Sequence, residues 1–191
     1  MGKTLTIIAE SPPGLLEDDE IAAVVAVLEP RPDHEIARAQ HLRGLCDVLD
    51  EARPRGPYDL IQLIGHGMAG VLWLGGFWWS PPRLTEAGLA LAVYAHPDVL
   101  FRMGQALPPT RELRLIGCAI GAAKPAPFAS PHDGPVLLHG LMRATGVAVS
   151  APVCSIAAHV LFRPDGAFLG EDCLTTYFPD GRVRRGHGQH G

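Results

Sequence analysis

Four short apolar runs, at 4–9, 59–64, 112–117 and 147–150, constrain this chain of 191 residues more than any other feature. Each is shorter than an ordinary helix and lacks the strict alternation of a half-solvated strand. Each therefore reads as a strand covered on both faces. Helix-period segments lie between them. Ile21, Val24, Val25 and Leu28 follow the i, i+3, i+4, i+7 spacing, as do Leu42, Leu45, Cys46 and Leu49. A third helix is predicted over 134–145, with Asp133 as cap, Pro135 in the first turn and Gly146 as terminator. A weaker helical pattern covers 84–95. Strands alternating with helices predict an α/β domain with a largely parallel sheet.

Two stretches depart from that rhythm. Residues 71–79 are strand-like and follow a glycine-rich turn, which predicts a hairpin after the second main strand. Beyond residue 150 the helical pattern stops. Short strands are expected at 158–162, 166–170 and 174–177, separated by the turns Pro164-Asp165-Gly166 and Pro179-Asp180-Gly181. With 22 Gly and 18 Pro, turns are frequent enough to exclude a coiled coil, and no three-residue glycine period allows collagen. At 47% hydrophobic and 19% charged residues, the chain has the means to build a core and is not disordered. The expected organisation is one domain over 1–185 and a disordered tail over 186–191.

The net charge of −4 gives no basic footprint for nucleic acid. No run of 18 apolar residues predicts a membrane span, and the N-terminus reads as a strand instead of a signal peptide. Arginine-dominated basic residues with abundant Ala, Gly and Pro suggest a bacterial source. Cys46, Cys118, Cys154 and Cys173 form no C-x-x-C pair, so reduced thiols in a cytoplasmic protein are expected, with neither a disulfide framework nor a zinc site. His132 and His139 fall seven apart without a third ligand, and no metal is predicted.

Two strand ends carry chemistry. Gly65-His66-Gly67-Met68-Ala69-Gly70 closes the second strand and matches G-x-G-x-x-G. A dinucleotide loop must open a helix, whereas Val71-Leu72-Trp73-Leu74 continues as strand, so that reading fails. His66 instead stands at the carboxyl end of a buried parallel strand, where ligands collect in open α/β sheets. The third strand ends in Leu115-Ile116-Gly117-Cys118, which brings a cysteine to the same sheet edge. A histidine and a cysteine so placed suit nucleophilic catalysis better than packing.

The pair Leu63-Ile64-Gly65-His66-Gly67 and Leu115-Ile116-Gly117-Cys118 resembles the caspase-fold cysteine peptidases, the caspase–gingipain–separase clan. It is most similar to the cysteine-protease domains of clostridial and RTX toxins and related bacterial domains. Gly70, Leu74-Gly75, and the order Gly146-Val147-Ala148-Val149-Ser150 followed by Val160-Leu161-Phe162 extend the likeness over about 60–175. The spacing from His66 to Cys118 agrees with roughly 50 residues between histidine and nucleophile in caspases. The sequence has Ile116-Gly117-Cys118-Ala119 where caspases have Gln-Ala-Cys, and lacks the acidic residue that metacaspase-like relatives place before the nucleophile.

The resemblance implies a three-layer α/β fold, with a mostly parallel central sheet, helices on both faces and a C-terminal β-flap. It implies a cysteine endopeptidase in which Cys118 attacks a peptide carbonyl and His66 handles the proton through a thioester intermediate. The oxyanion hole would be the backbone N–H groups of Gly67 and Cys118. Ser150 and Val153, at the end of the next strand, would line the cleft and bind substrate. The toxin relatives respond to inositol hexakisphosphate in a basic pocket. Two lysines and the small Arg182, Arg184, Arg185 cluster do not make such a pocket, and no cofactor is expected. The partner expected is a peptide or protein substrate, and Trp73, Trp78 and Trp79 either form an exposed patch that docks a protein partner or cover the sheet. The alternative is a silent peptide-binding or scaffold module on the same fold.

Overall fold

A computed structural model of the protein describes residues 2–9, 18–39, 42–73, 90–92, 97–123, 133–156 and 161–187. The first three main strands are β1 (Thr4–Ala9), β2 (His34–Ala39) and β3 (Tyr58–Ile64), and three short ones follow, β4 (Gly67–Met68), β5 (Val71–Trp73) and β6 (Ala90–Ala92). Then come β7 (Thr110–Ile116), β8 (Ala148–Pro152), β9 (Leu174–Tyr177) and β10 (Val183–Arg184). The helices are α1 (Asp18–Leu28), α2 (Leu42–Ala52), α3 (Pro97–Ala106) and α4 (Gly134–Thr145).

Seven strands form the central sheet in the order β10-β9-β8-β7-β3-β1-β2, and β4-β5-β6 form a separate antiparallel sheet. From β2 to β8 all neighbours are parallel, while β9 and β10 run antiparallel at one edge. The mixed α/β, mostly parallel architecture expected from the alternating pattern is therefore present. All six residues of β1 are buried, as a strand covered on both faces requires. Alternate side chains separate into two cores. Leu5, Ile7, Ile61, Leu63, Leu113 and Leu115 pack with α2, α3 and α4 residues such as Leu49, Met103 and Leu141. Ile8, Ile64 and Ile116 face the other way, against Val24 and Leu28 of α1.

Helix α4 begins after Asp133, carries Pro135 in its first turn and ends at Gly146, whose φ of 71° is left-handed and whose N–H donates to the Met142 carbonyl at 2.8 Å. The sequence reading is corrected elsewhere. The pattern at 84–95 is not a helix where it is described: 90–92 is a strand, and 84–89 and 93–96 lie outside the described residues. The helix is α3, which starts at Pro97. Its Gly104 lets the α4 backbone approach, since a Cβ there would overlap the Ala144 carbonyl. Strand β2 was not expected, because an edge strand with His34, Glu35 and Arg38 lacks a continuous apolar run. The hairpin after β3 is present as β4 and β5, turned by Gly70 at φ 71°, with residues 74–80 outside the described set. Of the late strands, 174–177 forms one, and 166–170 does not. Phe162 and Phe168 make a single antiparallel bridge, and 157–160 lie outside the described residues.

The cysteine reading is also corrected. Cys154 and Cys173 form a disulfide, with Cα atoms 6.0 Å apart. The cause is the β8–β9 pairing. Pro152 lies opposite Leu174, and the next position brings the Val153 N–H to the Cys173 carbonyl at 3.0 Å. Residues 19 apart in sequence thereby become neighbours across an antiparallel pair. The argument from four reduced thiols to a cytoplasmic location loses its premise. Cys46 and Cys118 remain free. Cys46 packs against the larger core, and its burial pushes the thiol pKa up. Among the described residues, no helix is long and apolar enough to cross a membrane, and no group of His, Cys, Asp or Glu is placed to hold a metal.

Candidate functional site

Register sets the site. In the parallel pair β3–β7, Leu63 lies opposite Leu115 and Ile64 opposite Ile116. The pairing persists one step further, where the Gly65 N–H donates to the Ile116 carbonyl at 3.0 Å. Gly65 and Gly117, then His66 and Cys118, thus leave the sheet at the same level on adjacent strands. The chain passes from β1 out to β2 and returns to β3 on the other side of β1. This reversal of strand order opens a crevice at the carboxyl ends of the strands.

A pocket occupies that crevice. Ile8, Ile64 and Ile116 form its floor at the strand ends, Ile21 and Val24 of α1 one wall, and Ile156 and Leu161 the other. Gly65, His66, Gly117 and Cys118 complete the lining. The space is about 460 Å³, counted out to its open mouth. The two site residues predicted from the strand ends, His66 and Cys118, are therefore brought together on one pocket, both half-buried. No charged side chain lines it among the described residues.

The turn after Cys118 is held from three sides. The Ala119 N–H donates to the Cys154 carbonyl at 2.9 Å and the Gly121 N–H to the Pro152 carbonyl at 2.8 Å. The Ile120 carbonyl accepts from Gly70 N–H at 2.9 Å, tying in the β4–β5 turn, and the Ala122 carbonyl accepts from Gly134 N–H at the start of α4 at 3.0 Å. Ala119 has a φ of 51°, a left-handed conformation unfavourable for a residue with a Cβ. Such strain persists only where surrounding contacts over-determine it, and it clusters at functional sites. Here it lies next to the candidate nucleophile. The Cys118 Sγ donates to the Ile156 carbonyl at 3.4 Å.

The other predicted residues fall elsewhere. Ser150 is fully buried in β8, and its hydroxyl donates to Glu112 Oε1 at 2.5 Å, within a cluster where Arg114 also meets Glu112 and Glu171. It does not line the pocket. Val153 is half-buried and likewise absent from the lining, its N–H spent on Cys173. The position sought there is filled by Ile156 and Leu161, which the sequence reading missed; the available signal was two aliphatic residues in the turn-rich stretch after Gly-Val-x-Val. Gly67 opens β4. A Cβ on Gly117 would stand 3.2 Å from the Gly67 nitrogen, so the backbones flanking the two site residues run close together. Of the tryptophans, Trp73 ends β5, while Trp78 and Trp79 lie outside the described residues.

No family model matches the chain, and no curated protein matches it by sequence. Among solved structures, the X-ray structure of a secreted C11 cysteine protease from Bacteroides thetaiotaomicron, "iotapain", aligns over 83% of this chain with a TM-score of 0.44 and 9% identity. The chain spans about half of that protein's length, 54%.

Proposed function

We propose that the protein is a cysteine peptidase in which Cys118 is the nucleophile and His66 the general acid and base. The observation that carries this reading is the convergence of both side chains on one pocket, from equivalent positions at the ends of two adjacent parallel strands. Cys118 attacks the substrate carbonyl as thiolate, the reactive form of the residue. His66 protonates the leaving amine and then takes a proton from the water that hydrolyses the thioester. The Gly67 and Cys118 amides serve the oxyanion, each such donor being worth about 3 kcal/mol. Support for that assignment is the close approach of the two loop backbones at Gly117 and Gly67. The apolar lining supports a substrate that buries an aliphatic side chain beside the scissile bond, since an unpaired charge there would lose its hydration without compensation.

The test is turnover of a peptide library, varied at the residue before the cut, by wild type and Cys118→Ala. Cleavage by wild type alone, after aliphatic residues, is expected. Equal behaviour of the two proteins sinks the enzyme reading. The hydrogen bond from Cys118 to Ile156 favours a second reading, a module that binds peptide without cutting it. Saturable peptide binding by both proteins, with no cleavage by either, selects that one.

A further inference from the structure

The disulfide stands two residues from Ile156, whose carbonyl caps the Cys118 thiol. Cys154 and Cys173 bound the stretch that supplies Ile156 and Leu161, the two pocket walls contributed by neither the sheet, the strand-end turns nor α1. Two residues beyond Cys154, the Ile156 carbonyl accepts the Cys118 thiol proton. The Cys154 carbonyl itself holds the N–H of left-handed Ala119, the residue after Cys118. One covalent tie therefore fixes a segment that touches the candidate nucleophile at its side chain and at its backbone.

The two sides of the disulfide are held unequally. Cys173 belongs to a 3₁₀ turn, Glu171–Cys173, which is anchored independently of the disulfide. Glu171 meets Arg114 Nη1 at 2.5 Å, the Cys173 N–H donates to Gly170 at 3.0 Å, and the Asp172 carbonyl accepts from His187 at 2.8 Å. On the other side, residues 154–156 have the disulfide, their two hydrogen bonds to Cys118 and Ala119, and the packing of the Ile156 side chain on the smaller core. If the tie is cut, the side left with fewer polar anchors, and with apolar packing at Ile156 alone, is the one that covers Cys118.

We propose that Cys154–Cys173 is a thiol-responsive latch on Cys118. Oxidised, it holds Ile156 against the thiol and narrows the pocket; reduced, it lets 154–156 lift away and exposes the sulfur. The reductant is a dithiol. One of its thiolates attacks a sulfur of the Cys154–Cys173 bond, which breaks to leave a mixed disulfide, and its second thiol displaces the protein sulfur. The dithiol ends as a disulfide, having lost two electrons, and Cys154 and Cys173 end as two thiols with two protons. The cap matters because a carbonyl oxygen accepts a hydrogen bond only from the protonated thiol, whereas the attacking form is the thiolate. This proposal deepens the peptidase reading and rests on it for its meaning in catalysis.

The experiment measures the rate at which iodoacetamide alkylates Cys118, resolved from Cys46, Cys154 and Cys173 by peptide mass mapping. Air-oxidised wild type is compared with wild type reduced by dithiothreitol and then freed of it, and with Cys154→Ser/Cys173→Ser. Reduction is expected to raise the Cys118 rate about fivefold or more, the factor that one ordinary hydrogen bond is worth. The double variant is expected to show the fast rate with or without reductant. Equal rates in oxidised and reduced wild type overturn the latch. So does loss of cooperative melting on reduction, because a tie whose opening unfolds the protein is a staple and not a switch. If the double variant fails to fold, reduced wild type decides alone. Alkylation needs no turnover, so this outcome is separate from that of the Cys118→Ala comparison.

Discussion

Gly117 and Gly65 leave no room for a side chain between them: a Cβ at residue 117 would stand 2.6 Å from the Gly65 carbonyl oxygen. The obstacle is backbone, so it cannot swing aside as a flexible side chain would. It is part of the strand-end pairing that sets His66 level with Cys118. Gly117→Ala is therefore expected to destabilise the fold by about 1–3 kcal/mol, the usual cost of overpacking. The displaced Gly65–Gly67 backbone is also expected to lower turnover by more than the loss of folded protein explains. Urea unfolding gives the first quantity, and peptide cleavage per folded molecule the second.

The pocket wall formed by α1 offers a direct test of what the site accepts. Ile21 is half-buried and lines the space shared with Cys118. Ile21→Glu places a carboxylate at a wall where the described lining holds no charge. Aliphatic substrates then lose contact, and substrates with Lys or Arg before the cut gain a partner. A pocket contact of this kind shifts relative kcat/KM by about tenfold or more. A ratio unchanged between leucine and arginine substrates would show that this pocket does not receive the side chain.

The strand ends were legible because buried parallel strands are continuous apolar runs, so Leu63-Ile64 and Leu115-Ile116 announced where His66 and Cys118 leave the sheet. What stayed hidden depends on pairing between distant segments. β2 mixes His34, Glu35 and Arg38 with apolar residues because it is an edge, and its pattern resembles a loop. The Cys154–Cys173 bond and the pocket walls Ile156 and Leu161 follow from the antiparallel return of β9 onto β8, which no local periodicity reports. Ser150 was expected in the cleft from its place at a strand end. Its register opposite Arg114 puts its hydroxyl in the buried charged cluster instead.

That cluster predicts an unequal pair of mutants. Arg114 is 7% exposed and is held by two carboxylates, Glu112 and Glu171. Glu112 meets both Nε and Nη2 of Arg114 at 3.1 Å and also accepts from Ser150, with a side chain 23% exposed. Glu171 makes one contact from a side chain 49% exposed, where water screens it. Glu112→Gln leaves a buried guanidinium poorly compensated and is expected to cost about 3 kcal/mol. Glu171→Gln is expected to cost under about 1 kcal/mol. Urea midpoints at unchanged slope would measure both, and equal losses would show that Arg114 is solvated far more than its burial implies.

A second charged group, at the opposite edge of the sheet, sets a pH dependence. Glu35 of edge strand β2 meets Lys3 Nζ at 2.6 Å and Arg55 Nε at 3.1 Å, and accepts from the Tyr58 hydroxyl at 2.7 Å. Burial opposes ionisation of Glu35, but these bonds outweigh it and hold the carboxyl below its ordinary 4.5. Tyr58 is pushed the other way, up to about 12, by burial and by its bond to that carboxylate. A carboxyl with a depressed folded pKa stabilises the protein fully above the unfolded value and loses that contribution as pH falls through the folded one. A tyrosine with a raised folded pKa contributes fully below its unfolded value near 10, and loses that contribution as pH rises through about 12. Wild type is therefore expected to exceed Glu35→Gln in stability at neutral pH by under about 1 kcal/mol, because the pairs lie near the surface. The gap should begin to narrow as pH falls below 4.5, close only once pH has fallen through the lower folded value, and shrink with added salt. Thermal melts of the two proteins from pH 3 to 7 would show it, and a gap that does not narrow at all as pH falls below 4.5 would mean that Glu35 acts through packing and not through charge.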